Sequence, residues 1–231
     1  GVILCALVSL ALANRPHNQS AIRQLIALLA AFLVLPAVLA VPFYEAVQTT
    51  TFLNAYFDMV SSLSTTGMPL FPPERLSMAE HLWRAQVGWM GGLLMWVAAA
   101  AILAPLNLGG FEVTSLGEPG QDVVAGAARR DTANPASRLA RSAAVLVPAY
   151  SLLTLALWVL LLVAGDTPFV ALVHAMSVMS TSGISPVGGP EGAGSGITGE
   201  AIMALFLLFA LSRVTFSQDT RAAQKAGLFH D

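Results

Sequence analysis

The sequence predicts an all-α integral membrane protein made of repeated helix–pore-loop–helix units with re-entrant short helices. Three observations carry the prediction. Apolar residues make up 56% of the 231 residues and charged residues only 10%, where a soluble domain carries roughly 25% charged residues. So sparse a charge cannot cover the surface of one or two soluble domains, and lipid must solvate much of it. Several apolar runs reach the ~20 residues that cross a bilayer. Two further runs are too short to cross, and each ends in Ser-Thr-x-Gly.

The elements follow in order. Residues 1–20 read as the end of a truncated preceding helix and its polar turn. The chain opens at Gly1 inside an apolar stretch, which reads as a fragment cut within a helix and not as a signal peptide. Cys5, the single cysteine, can form no intrachain disulfide and has no metal-site spacing around it. Residues 21–105 form the first unit: a spanning run at 21–43, a short run at 52–64, then a spanning run at 82–104 that stops at Pro105. Residues 106–137 are rich in Gly, Asp, Glu and Arg and read as an aqueous, cytoplasmic loop. Residues 138–217 form the second unit, with a spanning run at 142–164 (Pro148 a possible kink), a short run at 168–180, a Gly-rich loop at 188–199 and an apolar run at 200–212. Residues 218–231 are a polar cytoplasmic tail.

The two units are an internal repeat. A register of 116 residues carries Ala55, Ser61, Ser64, Thr65 and Gly67 onto Ala171, Ser177, Ser180, Thr181 and Gly183. The period exceeds that of solenoids, so these are duplicated subdomains. Charge gives the topology independently. If each short run enters and leaves on one face, the opposite face holds Arg15, Arg23, Arg129, Arg130, Arg138, Arg141, Arg213, Arg221 and Lys225, against only Arg75 and Arg84 at the mouths. The positive-inside rule places the long loop and the tail in the cytoplasm.

A 13-residue helix cannot cross the hydrocarbon core, and irregular backbone at that depth survives only where protein buries it or water reaches it. Residues 64–69 and 180–186 are therefore expected to line an aqueous path. The C-terminal end of each short helix carries partial negative charge and favours a cation. The Ser, Thr and Gly residues beyond it offer carbonyls and hydroxyls that can replace a cation's water shell. Gly67 and Gly183 open backbone angles closed to other residues. The plainer alternative is a helix stop with a glycine cap on interfacial amphipaths, but these runs lack the basic face of such helices.

The run Phe57-Asp58-Met59-Val60-Ser61-Ser62-Leu63-Ser64-Thr65-Thr66-Gly67 resembles the first pore loop of the Trk/Ktr/HKT cation-transporter superfamily. Leu82-Trp83-Arg84 through Trp89-Met90-Gly91-Gly92 is similar to the start of that family's following helix. His174 through Ser185 is similar to its second pore loop. The resemblance implies potassium uptake across a bacterial inner membrane by a multi-pass protein with no resident cofactor. It implies a selectivity filter of Ser64, Thr65, Thr66, Gly67 and Met68 with Ser180, Thr181, Ser182, Gly183 and Ile184. Potassium would meet the backbone carbonyls of Thr65, Thr66, Thr181 and Ser182. Family members with serine at the first filter position tend to pass sodium, and this chain has Gly67. The family carries four repeats around one pore, so the other two come from the same polypeptide or from a second copy. A cytosolic nucleotide-binding regulatory subunit and a homodimeric full-length form are also implied.

Asp58, an acid at membrane depth, is a functional candidate by default, with a satisfied structural carboxylate near the outer mouth as the equal alternative. Arg84 is expected to pair with Asp58, Glu80 or Glu74 or else to snorkel to the interface. Trp83 and Trp89 read as interfacial aromatics, and Gly91-Gly92 as a site of close helix approach. His174, which the repeat register sets against Asp58, is either a hydrogen-bonded structural residue or a pH sensor. The glycines at 109–110 and 117–120 lack the context of a nucleotide site, and no catalytic grouping appears, so no enzyme or nucleic-acid partner is expected. Two rival functions remain: an ion-coupled secondary transporter, whose repeats are often inverted, and a membrane scaffold that transports nothing.

Overall fold

In the computed structural model the described residues are 21–100 and 135–211. They form six α-helices and no strand: α1 (Ala21–Val47), α2 (Phe52–Leu63), α3 (Met78–Ala98), α4 (Pro135–Ala164), α5 (Pro168–Ser180) and α6 (Gly196–Leu211). Single 3₁₀ turns at Pro73–Arg75 and Pro190–Gly192 lie in the loops after α2 and α5. Residues 1–20, most of the expected cytoplasmic loop at 106–137, and the tail at 218–231 lie outside the described residues.

α1 and α4 contain Leu25–Val47 and Leu139–Ala164, each long and apolar enough to cross a membrane. Only 11% and 22% of those windows are buried, which separates them from the core helices of a soluble protein. Their exposed side chains are large and apolar, among them Leu29, Leu33 and Val34 on α1 and Leu152 and Leu155 on α4. α1 also carries Pro36 and Pro42 in its interior. A proline ring crowds the turn before it and removes a backbone donor. Neighbouring helices contribute there: the Tyr56 hydroxyl donates to the Leu33 carbonyl (3.1 Å) and the Trp83 indole to the Leu39 carbonyl (3.2 Å). Each acceptor lies three residues before a proline.

The short helices have defined ends. Thr51 caps α2, its hydroxyl accepting the Asn54 N–H. α5 starts with Pro168 at its first position, where no N–H is needed. α3 begins at Met78, four residues before the apolar run. The reason is a reciprocal cap: the Ser77 N–H donates to Glu80 Oε2 (2.6 Å), and the Glu80 N–H to Ser77 Oγ (3.4 Å). α4 and α6 likewise begin before their apolar runs, at Pro135 and Gly196.

The chain divides into two compact units. The described part of one is 21–30, 97–100 and 135–144, with Ala98 packed by Leu25, Leu28 and Leu139. The described part of the other is 31–96 and 145–211, and both Ser-Thr-x-Gly loops belong to it. Its core has two corresponding parts. Phe43, Met59, Leu63 and Val87 join α1, α2 and α3; Leu157, Leu161, Ala175 and Met203 join α4, α5 and α6. Ala85, Val173 and Ile184 join α3 to α5 and the loop that follows it.

Candidate functional site

The loops after α2 and α5 are built by the same hydrogen bonds, 116 residues apart. The Thr65 N–H donates to the Ser62 carbonyl as the Thr181 N–H does to that of Val178, each at 3.1 Å. The Thr66 N–H donates to the Ser61 carbonyl (3.0 Å) as the Ser182 N–H does to that of Ser177 (2.9 Å). Ser64 Oγ lies 2.8 Å from Thr66 Oγ1, and Ser180 Oγ donates to Ser182 Oγ at 3.0 Å. The backbones agree as well: φ is 55° at both Thr65 and Thr181, and 64° and 67° at Gly67 and Gly183. A left-handed φ is unfavourable for a β-branched residue, yet both threonines adopt it.

The glycines of α3 bring the two loops together. A Cβ on Gly91 would overlap the Leu63 carbonyl at the end of α2. A Cβ on Gly92 would lie 2.8 Å from Ser180 Cα at the end of α5 and 2.8 Å from the Tyr150 hydroxyl. A Cβ on Gly88 would lie 3.2 Å from Ser182 Oγ and 3.1 Å from the Ile184 side chain. The C-terminal ends of both short helices, and the partial negative charge they carry, therefore converge on one face of α3. The close approach expected at Gly91-Gly92 is real, but it is made to the ends of two helices. At Gly67 the loops themselves touch: a Cβ there would overlap the Ser182 carbonyl oxygen. Gly67 and Gly183 line a common cavity of about 240 Å³ together with Pro69, Phe71, Arg84 and Ser185.

The side chains divide the expected site residues. Ser180 and Ser182 are buried, and Ser180 Oγ also faces the Met176 and Ser177 carbonyls (2.9 and 3.2 Å). Their hydroxyls are engaged within the protein, which leaves backbone carbonyls as the ligands this loop can offer. Ser64 and Thr66 make the equivalent bond but are exposed, and Met68 is exposed too. Ser61 fixes the far end of the first loop: its hydroxyl accepts the Met68 N–H (2.9 Å) and donates to the Met68 carbonyl (3.1 Å).

Of the three acids considered for Arg84, the structure pairs it with Asp58. Arg84 Nε lies 2.9 Å from Asp58 Oδ2, with the side chains 5% and 0% exposed. The contact is an ion pair without well-directed hydrogen-bond geometry. Arg84 is not a snorkelling residue. Trp83 and Trp89 are not free interfacial aromatics. The Trp89 indole donates to Thr154 Oγ1 on α4 (2.9 Å), and its ring and that of Trp96 pack on Tyr150. His174, opposite Asp58 in the register, meets Ser185 Oγ through Nε2 at 2.9 Å. The sequence assigned no role to the Ser77 or Ser185 side chains, and to Arg75 only a place at the mouth face. Arg75 bonds the Thr49 carbonyl and hydroxyl and lies over the Phe71 ring. Of these only the Ser-x-x-Glu pattern at 77–80 carries a local sequence signal.

No family model matches the chain. The Trk system potassium uptake protein TrkH of Salmonella typhimurium is 32% identical over 179 residues, 77% of this chain and 35% of that protein. TrkG of Escherichia coli is 34% identical over 136 residues, 58% of this chain and 26% of that protein. The crystal structure of the potassium transporter TrkH from Vibrio parahaemolyticus superposes with a TM-score of 0.67 at 27% identity, covering 92% of this chain and 42% of that one. The chain spans about a third of the length of the curated relatives it matches.

Proposed function

Since this chain belongs to the Trk superfamily of membrane cation transporters, we propose that it supplies part of a potassium-selective pore, with its two Ser-Thr-x-Gly loops as the filter. The observation that carries the reading is the meeting of the loops. Two backbones of the same unusual shape touch at Gly67 and the Ser182 carbonyl, beside a shared cavity and at the negative ends of two short helices. In this reading α2 and α5 are re-entrant, residues 64–69 and 180–186 lie at membrane depth, and the carbonyls of Thr65, Thr66, Thr181 and Ser182 replace potassium's water. The boundaries at 21–105 and 138–217 are those of two successive repeats.

Two loops supply half of the oxygen ring that the four-repeat architecture gives an ion. An ion stripped of water on one side only is very costly in low dielectric. The remaining oxygens come from further repeats of the same polypeptide or from a second copy. A bacterial inner-membrane location, a homodimeric assembly and a cytosolic nucleotide-binding subunit belong to the same proposal, as the family resemblance implies. Potassium-dependent growth of an uptake-deficient host tests it. Two forms are compared: the 231-residue chain alone, and the chain joined to two further repeats of a Trk relative. The joined form is expected to rescue growth at low potassium and the chain alone is not. Full rescue by a demonstrably monomeric chain would sink the half-ring argument.

A further inference from the structure

Ser185 is the centre of the segment that follows the second glycine. Its hydroxyl oxygen accepts the N–H of Val187 (3.2 Å) and of Gly189 (3.0 Å). A serine oxygen has two lone pairs and one proton, so those two donors fill its acceptor capacity. The proton then has two possible acceptors: His174 Nε2 at 2.9 Å and the Gly189 carbonyl at 3.4 Å. If Nε2 carried a hydrogen it would be a third donor aimed at a filled oxygen. At Ser185 the count closes only if Nε2 is bare and accepts from the serine; the ring proton then sits on Nδ1, which is buried with no hydrogen-bond partner among the described residues.

We propose that His174 is a positioning residue for the second loop: as the neutral tautomer protonated at Nδ1, it takes the Ser185 proton and holds Ser185 as the double acceptor that folds residues 185–189 beside Gly183. Its significance for transport rests on the filter reading above; the hydrogen-bond count does not. The first repeat does the same work differently. There the equivalent residue, Asp58, is ion-paired to Arg84 on α3, and Pro69 stands in the place of Ser185. The repeats have thus diverged into one charged clasp and one neutral clasp at a single register position.

The clasp is incompatible with an imidazolium, which donates from both nitrogens. Protonating His174 turns the Ser185 proton to the Gly189 carbonyl and brings a third donor onto the Ser185 oxygen, which must release Val187 or Gly189. The charged groups around it are Asp166, buried just before α5 and within electrostatic reach of His174; Arg84, which shares the cavity with Ser185 but is held by Asp58; and Glu191 in the next turn.

The test uses the 231-residue chain in lipid nanodiscs, labelled with ¹⁵N in the histidine rings, with residue-resolved amide exchange. At neutral pH the His174 Nε2 resonance should be that of an unprotonated nitrogen. When acid protonates it, the protection of Val187 or Gly189, taken relative to the intrinsic amide rate at the same pH, should fall about fivefold, the size of one lost hydrogen bond. His174→Gln keeps an oxygen acceptor that does not titrate, so its protection should stay constant over the same pH range. Ser185→Ala should expose both amides at every pH. An Nε2–H tautomer at neutral pH would overturn the assignment. So would protection that survives protonation, an acid response unchanged in His174→Gln, or unaltered protection in Ser185→Ala. None of these readouts depends on ion flux, so the clasp can fail while the pore reading stands, and the reverse.

Discussion

Gly67 and Gly183 share a left-handed φ but not a neighbourhood. A Cβ on Gly67 would enter the Ser182 carbonyl, while one on Gly183 would meet nothing within 4 Å. Both substitutions to alanine carry the backbone cost of a left-handed L-residue, about 1–2 kcal/mol, but only Gly67→Ala adds a collision with backbone. Thermal unfolding of the two variants should therefore place Gly67→Ala well below Gly183→Ala. Equal losses would mean that the loops do not touch. The buried pair gives a second prediction. Arg84→Met leaves the Asp58 carboxylate buried without a counter-charge and should cost about 3–5 kcal/mol. Arg84→Met combined with Asp58→Asn should recover much of that, and a double-mutant cycle reads the difference; additive losses would contradict a direct pair. At this scale the sequence was legible where a residue type is rare in its setting. An acid and an arginine in apolar runs marked candidates for a pair, with Glu80, Glu74 and snorkelling left open for Arg84, and glycines after short helices announced unusual backbone. Ser185 was not legible, because a serine in a loop gives no sign that four groups converge on its oxygen.

α3 is the element that organises the site. Its glycines at 88, 91 and 92 face the ends of α2 and α5, Trp89 and Trp96 face α4, and Trp83 reaches α1. The apolar run foretold a helix, and Gly91-Gly92 foretold close approach. What lay on the other side of that approach was not legible, since a glycine records that space is short and not what fills it. The early start of α3 was readable in the Ser77–Glu80 capping box. The early start of α4 carries no comparable local signal, because Pro135 fits a loop as well as a first helical position. Gly92→Leu should drive a side chain into Ser180 and the Tyr150 hydroxyl. Overpacking of this kind costs about 1–3 kcal/mol, and here it should also part the loops. A distance measurement between spin labels at Thr66 and Thr181 would show this as a longer, broader distribution than in the parent. An unchanged distribution would show that α3 does not set the loop spacing.

For the molecule as a whole, composition and segment length were enough to read an all-helical membrane protein, and the 116-residue register located both loops before any contact was known. The grouping was less legible. The second compact unit takes in both loops and parts of α1, α3 and α4, because the loops and α3 interlock across the repeat boundary. Topology is a prediction at this scale. Arg129, Arg130, Arg138 and Arg141 hold four of the eleven basic residues, so a cysteine at Gly120 should resist an impermeant thiol reagent outside intact cells; ready labelling would invert the topology. The central claim is that carbonyls of the two loops select potassium, and ion selectivity measured directly on the pore tests it most closely. The chain joined to two further repeats of a Trk relative would be reconstituted in vesicles, and rubidium influx followed against rising sodium. The account predicts that influx resists sodium in the parent, and that Gly67→Ser, which displaces the Ser182 carbonyl, admits sodium and loses the preference. A Gly67→Ser form that folds, conducts and still excludes sodium would contradict it.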